Sequence, residues 1–89
     1  MESIPLTFHS DPGHGWLAIP LALYHKLPFN ASRYSYISHK TATVYLEEDC
    51  DASKAIDAMT TLEIPHTIAE VSHNGDCFIR SLPHITVMG

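Results

Sequence analysis

Seven histidines in 89 residues raise the question of metal binding before any other chemistry. Two groups of nearby residues combine side chains that bind metals, and they are His9/Asp11/His14 and His73/Asp76/Cys77. Neither group has the paired CxxC or HxxxH spacing of the familiar zinc sites. We therefore expect no metal and no other cofactor. If the protein does bind a metal, these two groups are the candidate ligands.

A cysteine nucleophile is the second possible chemistry. Cys77 with His73 or His84 and an aspartate offers the residue types of a Cys-His hydrolase. Such combinations arise by chance in a chain with two cysteines and seven histidines, and 89 residues leave little room for a substrate cleft. We predict that the protein is not an enzyme, with a small metal-dependent or Cys-His enzyme as the alternative.

The strongest concentration of charge lies between a strand pattern and a helix pattern, at Glu47, Glu48, Asp49 and Asp51. The stretch lacks the DxDxDG…E frame of a calcium loop. As a solvated helix start it needs no function, whereas clustered carboxylates on a surface speed association with a basic partner. Together with Asp57 on the following helix, these residues are our predicted partner-binding site.

Composition narrows the classes of partner. Ten acidic residues against five basic ones give a net charge of −5, which argues against direct binding of nucleic acid. Carboxylates spaced along a surface can instead occupy the positions of phosphates, as in a DNA mimic. No apolar run is long enough to span a membrane, and the first residues carry no secretion signal. We expect a cytoplasmic monomer that does not contact membranes.

Hydrophobic periodicity predicts the elements that carry these residues. Alternation indicates strands near residues 4–8 and 16–19, followed by a helix over 21–27 that Pro28 ends. A hairpin (34–38 with 41–46), a helix over 52–62 and a strand over 67–72 follow, while 77–82 fits a strand or a short helix. Ile85 and Val87 suit a short final strand. The order β-β-α-β-β-α-β predicts one α+β domain over residues 1–89, with two helices on one face of a mostly antiparallel sheet.

The second helix has the clearest pattern. Its apolar stripe consists of Ala52, Ala55, Ile56, Met59 and Leu62. Asp49 or Asp51 is the expected N-cap, since carboxylates favour the positive end of a helix dipole.

Two blocks, FHSDPGHGW (8–16) and VYLEEDCDA (44–52), with the later FIRS (78–81), resemble a group of small proteins encoded by bacteriophages and mobile elements. Small acidic phage proteins of this kind include anti-CRISPR inhibitors. The resemblance implies a protein in the cytoplasm of a bacterial host that binds a host protein. Its most specific implication is an inhibitor that occupies a basic, DNA-binding surface of a type I (Cascade) surveillance complex. No catalytic residue carries over, and a phage structural or regulatory module that oligomerises through its hairpin edge remains an alternative.

Overall fold

A five-stranded sheet forms the centre of the structure, which is a computed structural model describing residues 2–85. The strands are β1 (Ile4–Ser10), β2 (Gly15–Pro20), β3 (Tyr36–Ser38), β4 (Thr43–Glu47) and β5 (His66–Ser72). Their spatial order is β3-β4-β2-β1-β5, and every pairing is antiparallel except that of β1 with β5. The predicted α+β fold with a mostly antiparallel sheet is confirmed.

One face of the sheet carries the main core. Strand alternation places Leu6, Leu17, Ile19, Val44 and Leu46 on this face, and all five are buried. The register aligns Phe8 with Leu17 and Leu17 with Leu46, so the three central strands present one continuous apolar surface. Burying each aliphatic side chain stabilises the fold by about 1.5–3 kcal/mol.

The helices pack on this face, but each differs from its predicted extent. The first helix, α1, is a single turn over Leu21–Tyr24, and the chain continues to Leu27 through i→i−3 hydrogen bonds. Those tighter turns lead into Pro28, whose ring excludes a helical conformation from the residue before it. The prediction of a helix as far as residue 27 was therefore too long.

The second helix, α2, covers Ser53–Thr61 and follows a π-helical turn over Glu48–Ala52. Ala55 and Met59 are fully buried, as the predicted stripe requires, but Leu62 lies past the helix end and is 48% exposed. Neither Asp49 nor Asp51 accepts a capping hydrogen bond for α2. The predicted N-cap is wrong, because the intervening π-helical turn leads directly into the α-helix.

The opposite face of the sheet is covered by the segment that follows β5. It contains a 3₁₀ turn over Phe78–Ser81. Residues 77–82 were predicted to form either a strand or a short helix, and the short helix is correct. Trp16 and Tyr45 from the sheet pack against Cys77 and Ile79 from this segment, and all four are buried. The result is a second, smaller core.

The two edges of the sheet differ. The Ile37 N–H donates to the Pro83 carbonyl and the Ile85 N–H donates to the Ser35 carbonyl, so residues 83–85 lie along the outer edge of β3. These contacts take the place of the final strand predicted at Ile85 and Val87, of which Val87 lies outside the described residues. They also cover the hairpin edge predicted to serve for oligomerisation. Among residues 2–85, β5 pairs on one side only, with β1.

No helix within residues 2–85 combines the length and the apolar character that crossing a membrane requires.

Candidate functional site

The five predicted partner-binding carboxylates divide into two groups by exposure. Glu48, Asp49 and Asp57 are exposed to solvent. Glu47 is only 7% exposed and Asp51 is fully buried, so their predicted place on an acidic surface is wrong. The reason lies in alternation along β4 and in the π-helical turn, which direct these two side chains into the protein.

Asp51 is a structural carboxylate. Its Oδ2 accepts a hydrogen bond from the Ser32 N–H (2.9 Å), from the Ser32 hydroxyl (2.7 Å) and from the Ser35 hydroxyl. Its Oδ1 is buried and has no hydrogen-bond partner within the described residues. Asp51 therefore anchors the loop before β3 to the start of the helical segment. Nothing in the spacing of Ser32 and Ser35 signals this role in the sequence.

Glu47 belongs to the same network. Its backbone N–H donates to the Ser35 hydroxyl at 2.9 Å, while its carboxylate accepts the Asp49 N–H at 3.0 and 2.8 Å. The side chain thus closes the turn that leaves β4 and satisfies a backbone donor at the start of the helical segment. Its neighbours Glu48 and Asp49 are left pointing to solvent at this end of the sheet.

Asp11 joins the turn between β1 and β2 to the C-terminal segment. Its Oδ1 accepts the Gly13 and His14 N–H groups and the Arg80 Nη2 (2.8 Å), while its Oδ2 accepts the Cys77 N–H (3.0 Å) and the Arg80 Nε (2.6 Å). These donors, with the Arg80 guanidinium first, lower the pKa of Asp11 well below its usual range, and Asp11 raises the pKa of Arg80 in return. The guanidinium carbon also lies 5.2 Å from the centre of the Trp16 ring.

These contacts divide the predicted group of His9, Asp11 and His14. The two oxygens of Asp11 offer about four lone pairs and already meet five donors, which leaves none for a metal. His14 instead lies near Glu47 and Asp49, with one ligand atom of each residue within 4.8 Å of the others. His14 and Asp49 are exposed, and Glu47 already accepts a backbone hydrogen bond.

His9 meets two residues of the other predicted group. Its Nδ1 lies 3.2 Å from the Nε2 of His73. One ring nitrogen of each histidine and the Cys77 sulfur also form a set whose ligand atoms all lie within 4.8 Å of one another. The two imidazoles are stacked, with ring centres 5.4 Å apart. Asp76 takes no part, since its carboxylate faces Arg80 at 3.9 Å. The sequence thus indicated all three residues, but not their grouping.

Aromatic rings surround this His9/His73/Cys77 cluster. The Phe78 ring meets His9 edge-on at 5.4 Å, and the Tyr45 ring lies 6.1 Å from His9. Burial lowers the pKa of His9, and the charge of a protonated His73 would lower it further. Burial also raises the pKa of Tyr45. The cluster therefore favours a neutral His9 imidazole, which is the form that binds metals.

The same geometry bears on the cysteine nucleophile. Cys77 is only 2% exposed and packs in the second core directly before the 3₁₀ turn, so a substrate carbonyl has no open approach to its sulfur. His84, one of the predicted bases, stacks on Tyr36 with ring centres 4.3 Å apart. The other cysteine, Cys50, is half-buried, and both thiols are free.

Comparison with protein-family models, with curated proteins and with solved structures gives no match to this chain.

Proposed function

We propose that this protein is a non-enzymatic phage accessory protein that acts by binding a host protein with a basic surface. The observation that supports the proposal is the state of Glu48 and Asp49. Both are exposed, and neither lies within 4.0 Å of a basic nitrogen in the described part of the chain. The ion pairs that residues 2–85 do form both involve Arg80, with Asp11 and Asp76.

Adjacent uncompensated carboxylates repel each other, and a partner's cations relieve that repulsion. The buried positions of Glu47 and Asp51 support this arrangement, because their hydrogen bonds hold the turn that presents Glu48 and Asp49. Exposed charges of this kind act mainly through faster association, and salt weakens their effect. The binding surface is therefore centred on Glu48 and Asp49, and Asp57 on α2 extends it.

The most specific version of the proposal is an anti-CRISPR protein directed at a type I surveillance complex. This choice of partner comes from the resemblance of residues 8–16 and 44–52 to small phage proteins. Exposed carboxylates at the end of the sheet would occupy positions that DNA phosphates take on the basic surface of the complex. Binding would then exclude target DNA without any chemical step.

A charge-neutralised variant tests the proposal against a matched control. Glu48→Gln with Asp49→Asn removes both carboxylates, whereas Glu2→Gln with Glu63→Gln removes two exposed carboxylates at the opposite end of the sheet. Affinity for an immobilised type I surveillance complex is measured at low and high salt. Two exposed ion pairs contribute about 0.4–2 kcal/mol, so we expect roughly 2- to 30-fold weaker binding for the first variant. The control should bind like the wild type, and adding target DNA should displace both proteins.

The outcomes separate the two levels of the proposal. If the wild type binds and the variant without the Glu48 and Asp49 carboxylates binds equally well, the assignment of the binding surface is wrong. Failure of the wild type to bind the complex would overturn the anti-CRISPR version. Asp57→Asn, measured in the same assay, shows whether the contact reaches α2.

A further inference from the structure

We infer that His9, His73 and Cys77 form a binding site for a single divalent transition-metal ion, with zinc the best match. This inference goes beyond the proposed function and is independent of it, since it concerns different side chains. The three ligand atoms come from the end of β1, from the residue after β5 and from the segment covering the second face.

The spacing of the ligand atoms fits tetrahedral coordination. With Zn–N bonds of 2.0–2.1 Å and a Zn–S bond of 2.3 Å, a tetrahedral ion separates two nitrogens by about 3.3 Å and nitrogen from sulfur by about 3.6 Å. His9 Nδ1 and His73 Nε2 are 3.2 Å apart, and the whole set lies within 4.8 Å. A nitrogen–sulfur separation at the 4.8 Å limit would have to shorten by about 1.2 Å to reach the tetrahedral distance.

The ligand types select the class of metal. Two imidazoles and one thiolate favour zinc and related transition metals over magnesium and calcium, which prefer oxygen ligands. Three protein ligands leave a fourth position, which a water molecule fills in many zinc sites. His9 and His73 are half-buried, so solvent reaches both of these residues.

The backbone already holds the three residues in place. The His73 N–H donates to the Ser10 carbonyl at 2.8 Å, which continues the β1–β5 pairing by one residue. The Cys77 N–H donates to Asp11 at 3.0 Å. Because these bonds involve neither imidazole nor the thiol, metal binding breaks none of them.

Without an ion, one imidazole donates its N–H to the other, and this hydrogen bond by itself accounts for the 3.2 Å distance. Metal binding replaces that arrangement. The bridging proton moves to the other nitrogen of its ring, and the Cys77 thiol loses its proton to solvent as the metal–sulfur bond forms. One proton is released for each ion bound, and no oxidation or reduction takes place.

Metal titration of the full-length protein tests the site. The protein is stripped with a chelator and titrated with Co²⁺, followed by Zn²⁺ in competition. We expect one ion per chain, a near-ultraviolet thiolate-to-cobalt charge-transfer band and the intense visible bands of tetrahedral cobalt. Cys77→Ser should abolish the charge-transfer band, while Cys50→Ser, the matched control, should keep it.

A histidine pair provides a second, independent readout. His73→Gln replaces a half-buried ligand and should weaken zinc binding by more than the roughly 10–100-fold cost of losing an outer-shell partner. His39→Gln, an exposed histidine outside the cluster, should leave affinity unchanged. Circular dichroism of each variant confirms folding, so the His73 result decides the matter even if Cys77→Ser fails to fold. Absence of the charge-transfer band in the wild type, or affinity that His73→Gln does not alter, would overturn the inference.

Discussion

Replacing Asp51 with alanine tests whether this carboxylate is structural, as its burial indicates, or part of an acidic surface. The side chain is fully buried, and its Oδ2 accepts hydrogen bonds from two Ser32 groups and from the Ser35 hydroxyl. Removing it leaves these donors without an acceptor. One effect acts the other way, because the buried Oδ1 has no partner in the described structure and its desolvation cost disappears.

The balance of these effects can be estimated from burial. Ser35 is fully buried, so leaving its hydroxyl donor without an acceptor costs about 1–3 kcal/mol of folding free energy. Ser32 is half-buried, and its two donors regain water at a net cost of about 1 kcal/mol together. We therefore expect Asp51→Ala to lower the free energy of unfolding by about 2–4 kcal/mol. That is a large share of the roughly 4–13 kcal/mol typical of a domain this size.

Urea unfolding followed by the fluorescence of Trp16, the single and buried tryptophan, measures the effect. Asp49→Ala is the matched control, since it removes an exposed carboxylate two residues away and should change stability by less than about 0.5 kcal/mol. Asp51→Asn, which keeps the shape and one acceptor oxygen, should fall between the two. If Asp51→Ala is as stable as Asp49→Ala, then relief of desolvation outweighs the lost hydrogen bonds and the structural role is refuted.

Two further predictions concern the ends and edges of the sheet. The lowered pKa of Asp11 means that its contribution to stability is complete above its usual pKa of about 3.9 and is lost as the pH falls below that value. The stability difference between wild type and Asp11→Asn, from urea midpoints between pH 7 and pH 3, should therefore shrink on acidification, and a constant difference would contradict it. Light scattering during gel filtration should give the mass of one chain, because Glu70 places a charge on the β5 edge that has no partner strand among residues 2–85. If the wild type instead has the mass of two chains and Val71→Lys has the mass of one, two copies pair through β5.

Local pattern was sufficient to predict the strands. Alternation in Ile4, Leu6 and Phe8 and in Val44 and Leu46 is a property of neighbouring residues, and the structure confirms both strands. The length of α1 was not predictable in the same way. Its backbone is held by a tertiary hydrogen bond from the Leu21 N–H to the Ala42 carbonyl, in a turn where Ala42 has a φ of 51°.

Asp51 shows why an acidic stretch resists interpretation from sequence. Four carboxylates lie within five positions, and each looks equally available to solvent when only the chain is read. The structure separates them through contacts with Ser32 and Ser35, which lie 19 and 16 residues earlier. Exposure of a charged residue depends on such distant partners, so composition could indicate that an acidic surface exists but not which residues form it.

The metal-ligand candidates make the same point through topology. Proximity along the chain suggested that His9 and Asp11 act together, yet His9 lies in β1 and Asp11 in the turn after it, with different neighbours. The parallel pairing of β1 with β5 brings His9 and His73 together across 64 residues, because parallel neighbours end at the same edge of a sheet. Asp11 contributes by a different route, since it holds the Cys77 N–H and so sets where the thiol lies. In this chain, a parallel strand pair with a histidine near the end of one strand and directly after the other indicates which side chains meet better than close spacing in the sequence does.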